Sequence, residues 1–371
     1  MKAMILTVGI FLFRTFLSLW YAVCKCFPLK HQAVFLSREG DTPSLDFVML
    51  EEELLRQDPT VRVVMRCHLM KKGLAEMVRS FFHILGDTRI LAVSRVAVCD
   101  TYSIPVSLLS HRKELTVLQI WHALGAVKKF GRQIVGKGEG SSKLLVDRMA
   151  MHKNYDYVYC TSDRTADFYA EAFGVDRQII KVRGMPRVDY LRDDHPEMVK
   201  RFFECYPRYG KKPIILYLPT FRKGGHPDIV HLLEAIDHEQ FDLIIRLHPL
   251  DHDAIAEEYV VDGSFSTYDL MEVSDLVISD YSAASIEASV LDKPVYFYVY
   301  DILQYRDARG LNVNLYEEMS HAISDNAMLL MDKIKNEPYD MEELRAFCHR
   351  YVETKDQPNT AQIASDILSW M

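Results

Sequence analysis

The sequence predicts an α/β protein built from two doubly wound domains that face each other, preceded by an apolar N-terminal helix. Apolar runs of five to eight residues recur with helix-like stretches between them, the pattern of parallel strands buried on both faces. The series starts after Pro28 and starts again after about residue 190. The 371 residues are enough for two domains rather than one.

The first thirty residues, MKAMILTVGIFLFRTFLSLWYAVCKCFPLK, are apolar apart from Lys2, Arg14, Lys25 and Lys30, and no acid precedes Glu39. A spanning helix needs about 20 apolar residues, and Arg14 interrupts this run at its middle. No small-x-small cleavage site follows it. Residues 1–29 are therefore expected to form a helix on the membrane surface, with the Trp20–Tyr21 pair at head-group level and lysines on anionic lipid. An ordinary buried helix is the plainer alternative.

QAVFLS (Gln32 to Ser37) opens the first series as a strand, followed by a helix over Leu45 to Gln57 and a strand over Val61 to His68. A helix over Gly73 to Leu85 and one or two short strands within Arg89 to Cys99 come next. TVLQIW (Thr116 to Trp121), YDYVYCTS (Tyr155 to Ser162) and IIKVRG (Ile179 to Gly184) complete the series. GMPRVDYLRDDHP (Gly184 to Pro196) has two prolines and a charge run, and is expected to connect the domains. The second series is PIILYLPT, FDLIIRLHP, DLVISDYS and KPVYFYVYD, closed by helices near Met341 to Val352 and Ala361 to Trp370. The expected domains are 30–188 and 189–371, the last helix being free to cross back.

Hydrophobic residues make up 49% of the chain and charged residues 26%, as in a folded globular protein. A net charge of -8 argues against general nucleic-acid binding. The seven cysteines are scattered without a CxxC, which points to a reducing compartment and to neither a disulfide framework nor a zinc site. Motifs of nicotinamide enzymes, P-loop ATPases, zincins and serine hydrolases are absent.

Ligands of doubly wound sheets bind beyond the carboxyl ends of the strands, and the chemistry-bearing residues cluster there. After ILYLP come Thr220, Arg222 and Lys223 with two glycines, a hydroxyl and cations able to hold phosphate oxygens. Arg246 and His248 alternate on one face of the next strand end. A third strand ends at Asp280; Ser282 reads as the N-cap of the following helix, and Ser285 lies on its first turn. Each feature also has a plain structural reading, as a solvated turn or a simple cap. Across from them stands QIWHALGAVKKFG (Gln119 to Gly131), with His122 ending a strand ahead of a loop that carries Lys128, Lys129, Arg132 and Lys137 and no acid. A positive cleft in an acidic protein favours an anionic small substrate.

These segments resemble the CDP-glycerol:poly(glycerophosphate) glycerophosphotransferase family, which builds wall teichoic acids. WHALGAVKKFG looks like its Trp-His-Gly/Ala motif with a downstream lysine. GMPRVDYL, containing Arg187, looks like its Gly-x-Pro-Arg-x-Asp segment, and YLPTFR like its Pro-Thr-x-Arg segment. RLHP and SDYSAASIEASVLDKPVYFY look like the remaining signatures, and AVFLSREG (Ala33 to Gly40) is familiar in the family too. Ala283 and Glu287 depart from the pattern, where many members carry serine and aspartate. The resemblance implies a GT-B fold of two Rossmann-like domains with a deep interdomain cleft, and attachment at the cytoplasmic face of the membrane. It implies transfer of glycerol phosphate from CDP-glycerol to an undecaprenyl-pyrophosphate-linked disaccharide acceptor, with a primase favoured over an elongating or CDP-ribitol-using member. His122 is then the expected general base, with His248 and Arg246 stabilising the pyrophosphate and departing CMP. Thr220, Arg222 and Ser282 would hold the donor phosphates, Asp280, Ser285 and Arg187 would take part in substrate binding, and Lys128 would bind an anion on the acceptor side. No cofactor is required, a divalent cation has no identified site, and other cell-wall polymer enzymes are conceivable partners. A GT-B enzyme using a nucleotide sugar, or an inactive scaffold, are the rivals.

Overall fold

The computed structural model describes residues 2–70, 73–222, 225–248, 251, 253, 255–353 and 356–371. The chain divides into two compact units, one of residues 1–123, 130–189 and 355–371, the other of residues 124–129 and 190–354. Each is an α/β unit around one all-parallel sheet.

The first unit holds β1 (Gln32–Ser37), β2 (Arg62–Cys67), β3 (Val96–Cys99), β4 (Thr116–Gln119), β5 (Tyr157–Cys160) and β6 (Ile180–Val182), in the order β2-β1-β3-β4-β5-β6. All neighbours are parallel. β1 and β3 are buried along their whole length, as continuous apolar runs require when helices cover both faces. The order reverses between β1 and β3, the kind of switch point beside which open parallel sheets bind ligands.

The helix Asn359–Ser369 belongs to this unit. Its Ile363, Ala364 and Ile367 recur at helical spacing and pack against Phe47, Leu50 and Leu54 of the helix Leu45–Gln57. Each buried isoleucine contributes about 1.5–3 kcal/mol. Asp189 caps the helix from a distance, accepting from the backbone and side chains of Asn359 and Thr360 at 2.6 to 3.0 Å.

Two expected segments differ. The Gly73 to Leu85 helix runs on as Leu74–Leu91, leaving β3 as the single strand before Cys99. No proline stops the helix at Leu85, and its last turns stay anchored by buried Thr88 and Leu91. The Gly184 to Pro196 connection is not an open linker. Pro186 starts a helix, Pro186–Arg192, as proline does at a first helical position, and Arg187 and Asp189 tie it to the first unit.

The second unit holds β7 (Ile214–Leu218), β8 (Asp242–Ile245), β9 (Leu276–Ser279), β10 (Val295–Tyr298) and β11 (Ile323–Ser324), in the order β11-β10-β9-β7-β8. Its order reverses between β7 and β9. Residues 124–129 join it through an antiparallel bridge between Lys128 and Leu311 and bonds from Asn312 to Ala126 and Val127. Gly125 has φ +65°, and a Cβ there would collide with Ile286; only glycine lets the backbone approach so closely.

The helix Lys2–Cys24 docks Leu17, Tyr21 and Cys24 against Ala92, Ile104 and Leu108. Its Met4, Ile5, Phe11, Leu12, Phe16 and Leu19 stay exposed. It is long and apolar enough to cross a membrane.

Candidate active site

Site residues gather at the carboxyl ends of the strands beside the order reversal of each sheet. In the first unit β4 ends at Gln119, and the amide of Ile120 still bonds Cys99 O at 2.8 Å. Trp121 then takes φ 60°, a left-handed conformation that costs a bulky residue about 1–3 kcal/mol. Packing holds it there. Its ring stacks on Phe130 at 4.7 Å and meets Phe173 edge-on. Its amide donates to Gln119 Oε1 at 2.9 Å, and Gln119 is in turn fixed by Thr101 O and the Tyr155 hydroxyl.

The turn at Trp121 presents His122, whose Nδ1 lies 2.9 Å from Asp100 O. A carbonyl only accepts, so Nδ1 carries the proton and the lone pair resides on Nε2. The Glu39 carboxylate lies 3.8 Å from the same Nδ1. Arg187 donates through Nη1 to His122 O at 3.1 Å. Arg187 also pairs with Asp46, with its backbone amide and Nε each 2.8 Å from that carboxylate and Nη2 in contact with it too. Arg187 is 6% exposed. Its Nη1 braces the His122 loop, beside the substrate-binding role expected from the sequence.

Asp100 also ends β3 with a carboxylate that is 1% exposed and held only weakly, by the nearby Ser37 and Thr101 hydroxyls. Burial pushes its carboxyl up to about 7; nearby Ser37 and Thr101 pull it back in part, and the Glu39 and Asp46 charges push it further. The folded value lies above the unfolded one, so the protonated form is favoured in the fold. That stability is complete below about pH 4 and is lost as pH rises to about 7. Relative to Asp100→Asn, the wild type should lose roughly 4 kcal/mol across this window. Urea unfolding of both proteins from pH 4 to 8 checks this, and a difference independent of pH would refute it.

In the second unit Thr220, Arg222 and Asp280 meet in one buried network. Thr220 donates its amide and its hydroxyl to Asp280, the latter at 2.6 Å. Arg222 donates Nη1 to Asp280 at 2.6 Å, and Nε and Nη2 to Asp301 at 3.0 Å each. Burial opposes the Arg222 charge, but Asp280 and Asp301 more than offset it, so the guanidinium stays charged. Arg222 is thus a brace between the ends of β7, β9 and β10, where the sequence suggests a phosphate ligand. The amide of Tyr281 also donates to Asp280, so this carboxylate organises the turn and is itself occupied.

Ser282 lies one position earlier than expected for a cap. Ala283 is the N-cap of the helix Ala284–Val290, and the Ser282 hydroxyl accepts from the Ala284 amide at 3.3 Å. Ser285 is buried and donates to Ser282 O. His248 is exposed, its ring 5.7 Å from Phe221, so the Pro-Thr-Phe-Arg and Arg-Leu-His segments adjoin. Arg246 is half-buried and donates through Nη2 to Asp262 O and Phe265 O at 3.2 and 3.0 Å. Lys128 packs with the second unit, whereas the sequence reading puts it on the acceptor side with His122. Lys223 and Pro249 lie outside the described residues. Among those described, no group of three or more His, Cys, Asp or Glu side chains could hold a metal.

Asp46, Asp100 and Asp301 escape sequence reading. Asp100 and Asp301 each follow an apolar strand, a position that could have flagged them. Asp46 sits in the first turn of an amphipathic helix and carries no such signal.

Residues 20–369 match the CDP-glycerol:poly(glycerophosphate) glycerophosphotransferase family. The chain is 32% identical to the teichoic acid ribitol-phosphate primase of Bacillus spizizenii, covering 93% of this chain and 92% of that protein. It is 28% identical to the teichoic acid glycerol-phosphate primase of Bacillus subtilis, covering 74% and 73%. The wall teichoic acid polymerase TagF superposes on it with a TM-score of 0.76 at 20% identity, over 99% of this chain and 97% of that one. That likeness establishes the shared α/β fold. With two parallel sheets, matching strand-end motifs and a family match spanning nearly its whole length, the chain belongs to the CDP-glycerol:poly(glycerophosphate) glycerophosphotransferases.

Proposed function

We propose that this protein transfers an alditol phosphate from a CDP-alditol to a lipid-linked acceptor, releases CMP, and primes a teichoic acid chain. The observation that carries the reading is the imidazole of His122, held by Nδ1 at Asp100 O at a strand end beside a sheet reversal. In that tautomer Nε2 can take the proton of the acceptor hydroxyl as its oxygen attacks the β-phosphorus of the donor. The bond to the CMP oxygen breaks, and CMP leaves with its electron pair. Such chemistry needs positioning and charge stabilisation more than covalent help. His248, Arg246 and Lys128 are the cations assigned to the phosphates. Thr220, Asp280 and Arg222 shape the turn that receives the donor, with Ser282 and Ser285 beside it.

The family resemblance points to CDP-glycerol, whereas a relative matched along nearly its full length is a ribitol-phosphate primase. CDP-ribitol is therefore the first donor to test and CDP-glycerol the second. The reading brings with it a GT-B fold with doubly wound units and a cleft in which both substrates meet. It also brings a monotopic position at the cytoplasmic membrane face, which the exposed apolar side chains of Lys2–Cys24 support. Confinement there would place the enzyme where a lipid-linked acceptor resides.

CMP release is the test. Purified protein is offered CDP-ribitol and CDP-glycerol in parallel, each with an unprimed and a primed lipid-linked disaccharide. Release from CDP-ribitol with one added unit is expected. Release from CDP-glycerol alone would reassign the donor, and dependence on the other acceptor would reassign the step. Release of UDP or GDP from nucleotide sugars, with none of CMP, would sink the proposal.

A further inference from the structure

The first unit contains a narrow pocket beneath the helix Leu74–Leu91 at the carboxyl ends of β1, β2 and β3. Arg38, Arg66, His68 and His83 line it together with the Asp87 carboxylate that Arg66 neutralises, and Ser37 and Thr101 complete the wall. Three of the four cationic or imidazole groups have identifiable neighbours. Arg66 pairs with Asp87 at 2.7 Å, and Gly86 leaves the space its guanidinium fills. His68 and His83 stack with ring centres 3.7 Å apart.

Arg38 is different. Its guanidinium donates to Tyr102 O at 3.2 Å and lies against the Tyr102 ring, with no carboxylate bonded to it among the described residues. Its Nε is buried without a hydrogen-bond partner among the described residues, and the buried Nε2 of His68 has none closer than the Asp87 carboxylate at 3.9 Å. Half-buried polar groups that face one cavity and lack partners are costly unless something fills it. The charge and planar donor fork of Arg38 suit a phosphoryl group better than a sugar ring.

The helix above the cavity turns a second face outward, with Leu74 80%, Met77 66%, Val78 52% and Phe82 65% exposed. That face continues onto the N-terminal helix, where Phe13 and Phe16 pack on Phe81. An anion pocket beside an apolar face fits a phosphorylated lipid. We propose that the cavity walled by Arg38, His68 and His83 is a subsite for the lipid-proximal phosphoryl group of the acceptor, with the hydrocarbon chain lying along Leu74, Met77, Val78 and Phe82. The identity of the ligand as an acceptor rests on the function proposed above; the anion site itself does not.

Burial and the neighbouring Arg66 and His83 charges hold His68 down to about 4, so it enters the site as a neutral imidazole that can donate one hydrogen bond. Arg38 supplies the charge.

Calorimetric titration of the full chain in detergent with farnesyl phosphate, and separately with inorganic phosphate, tests this. Arg38→Gln should weaken both at least tenfold, and Arg38→Lys should retain most of the binding. Phe82→Ser with Met77→Ser should weaken farnesyl phosphate alone. Melting curves confirm that each variant is folded. Unchanged binding in folded Arg38→Gln would overturn the subsite. Phosphate binding as tight as that of the prenyl phosphate, and indifferent to Met77 and Phe82, would overturn the lipid assignment. Failure of the wild type to release CMP from any CDP-alditol would strike the proposed function and leave this binding result standing.

Discussion

Replacing His122 by alanine should lower CMP release by about a thousandfold, within the range that general acid–base groups contribute, while leaving the protein folded. The His122 side chain is one-third exposed, so its loss opens no cavity in the core. The bond to Asp100 O fixes which nitrogen donates, and the Trp121 turn fixes where the ring stands. An enzyme that relied on the imidazole only as a wedge would be rescued by His122→Gln, which can donate to the same carbonyl but cannot take a proton. The glutamine variant is instead expected to be nearly as slow as the alanine variant, with donor KM little changed. Turnover near the wild-type rate in either would remove His122 from the chemistry.

The strands were legible because a buried parallel sheet writes itself as apolar runs. QAVFLS and KPVYFYVYD need no partner to be recognised, and β1 and β10 lie within them. His122 was legible because a histidine between an apolar strand and a basic, glycine-containing loop is unusual. The roles of the arginines were not. Sequence shows that Arg187 and Arg222 are cationic, but which carboxylates meet them depends on contacts over 141 and 58 residues of chain. Both guanidiniums read as substrate ligands, and in the fold each also pairs with a buried carboxylate. Splitting of QIWHALGAVKKFG between the units, with His122 in one and Lys128 in the other, was equally hidden, because local pattern records no partner. The close approach of Gly125 to Ile286 is visible only once the fold is known.

The buried Arg187–Asp46 pair yields the largest expected loss of stability. Their side chains are 7% and 1% exposed, so Arg187→Met leaves a carboxylate uncompensated in the interior and should cost roughly 3–5 kcal/mol. Removing both charges is a different matter. Asp46→Leu combined with Arg187→Met strands no ion, and well-packed apolar replacements of buried pairs are often neutral, so the double variant should recover most of that loss in urea unfolding. Activity should not recover with it. Arg187 Nη1 holds His122 O, and a methionine cannot donate that bond, so the stabilised double variant should still turn over more slowly than wild type. The pair would then have two separable roles, one in the stability of the first unit and one in aiming the base. A double variant with both stability and turnover restored would reduce Arg187 to a structural residue. A single variant within about 1 kcal/mol of wild type would show that the pair contributes no more than an exposed salt bridge.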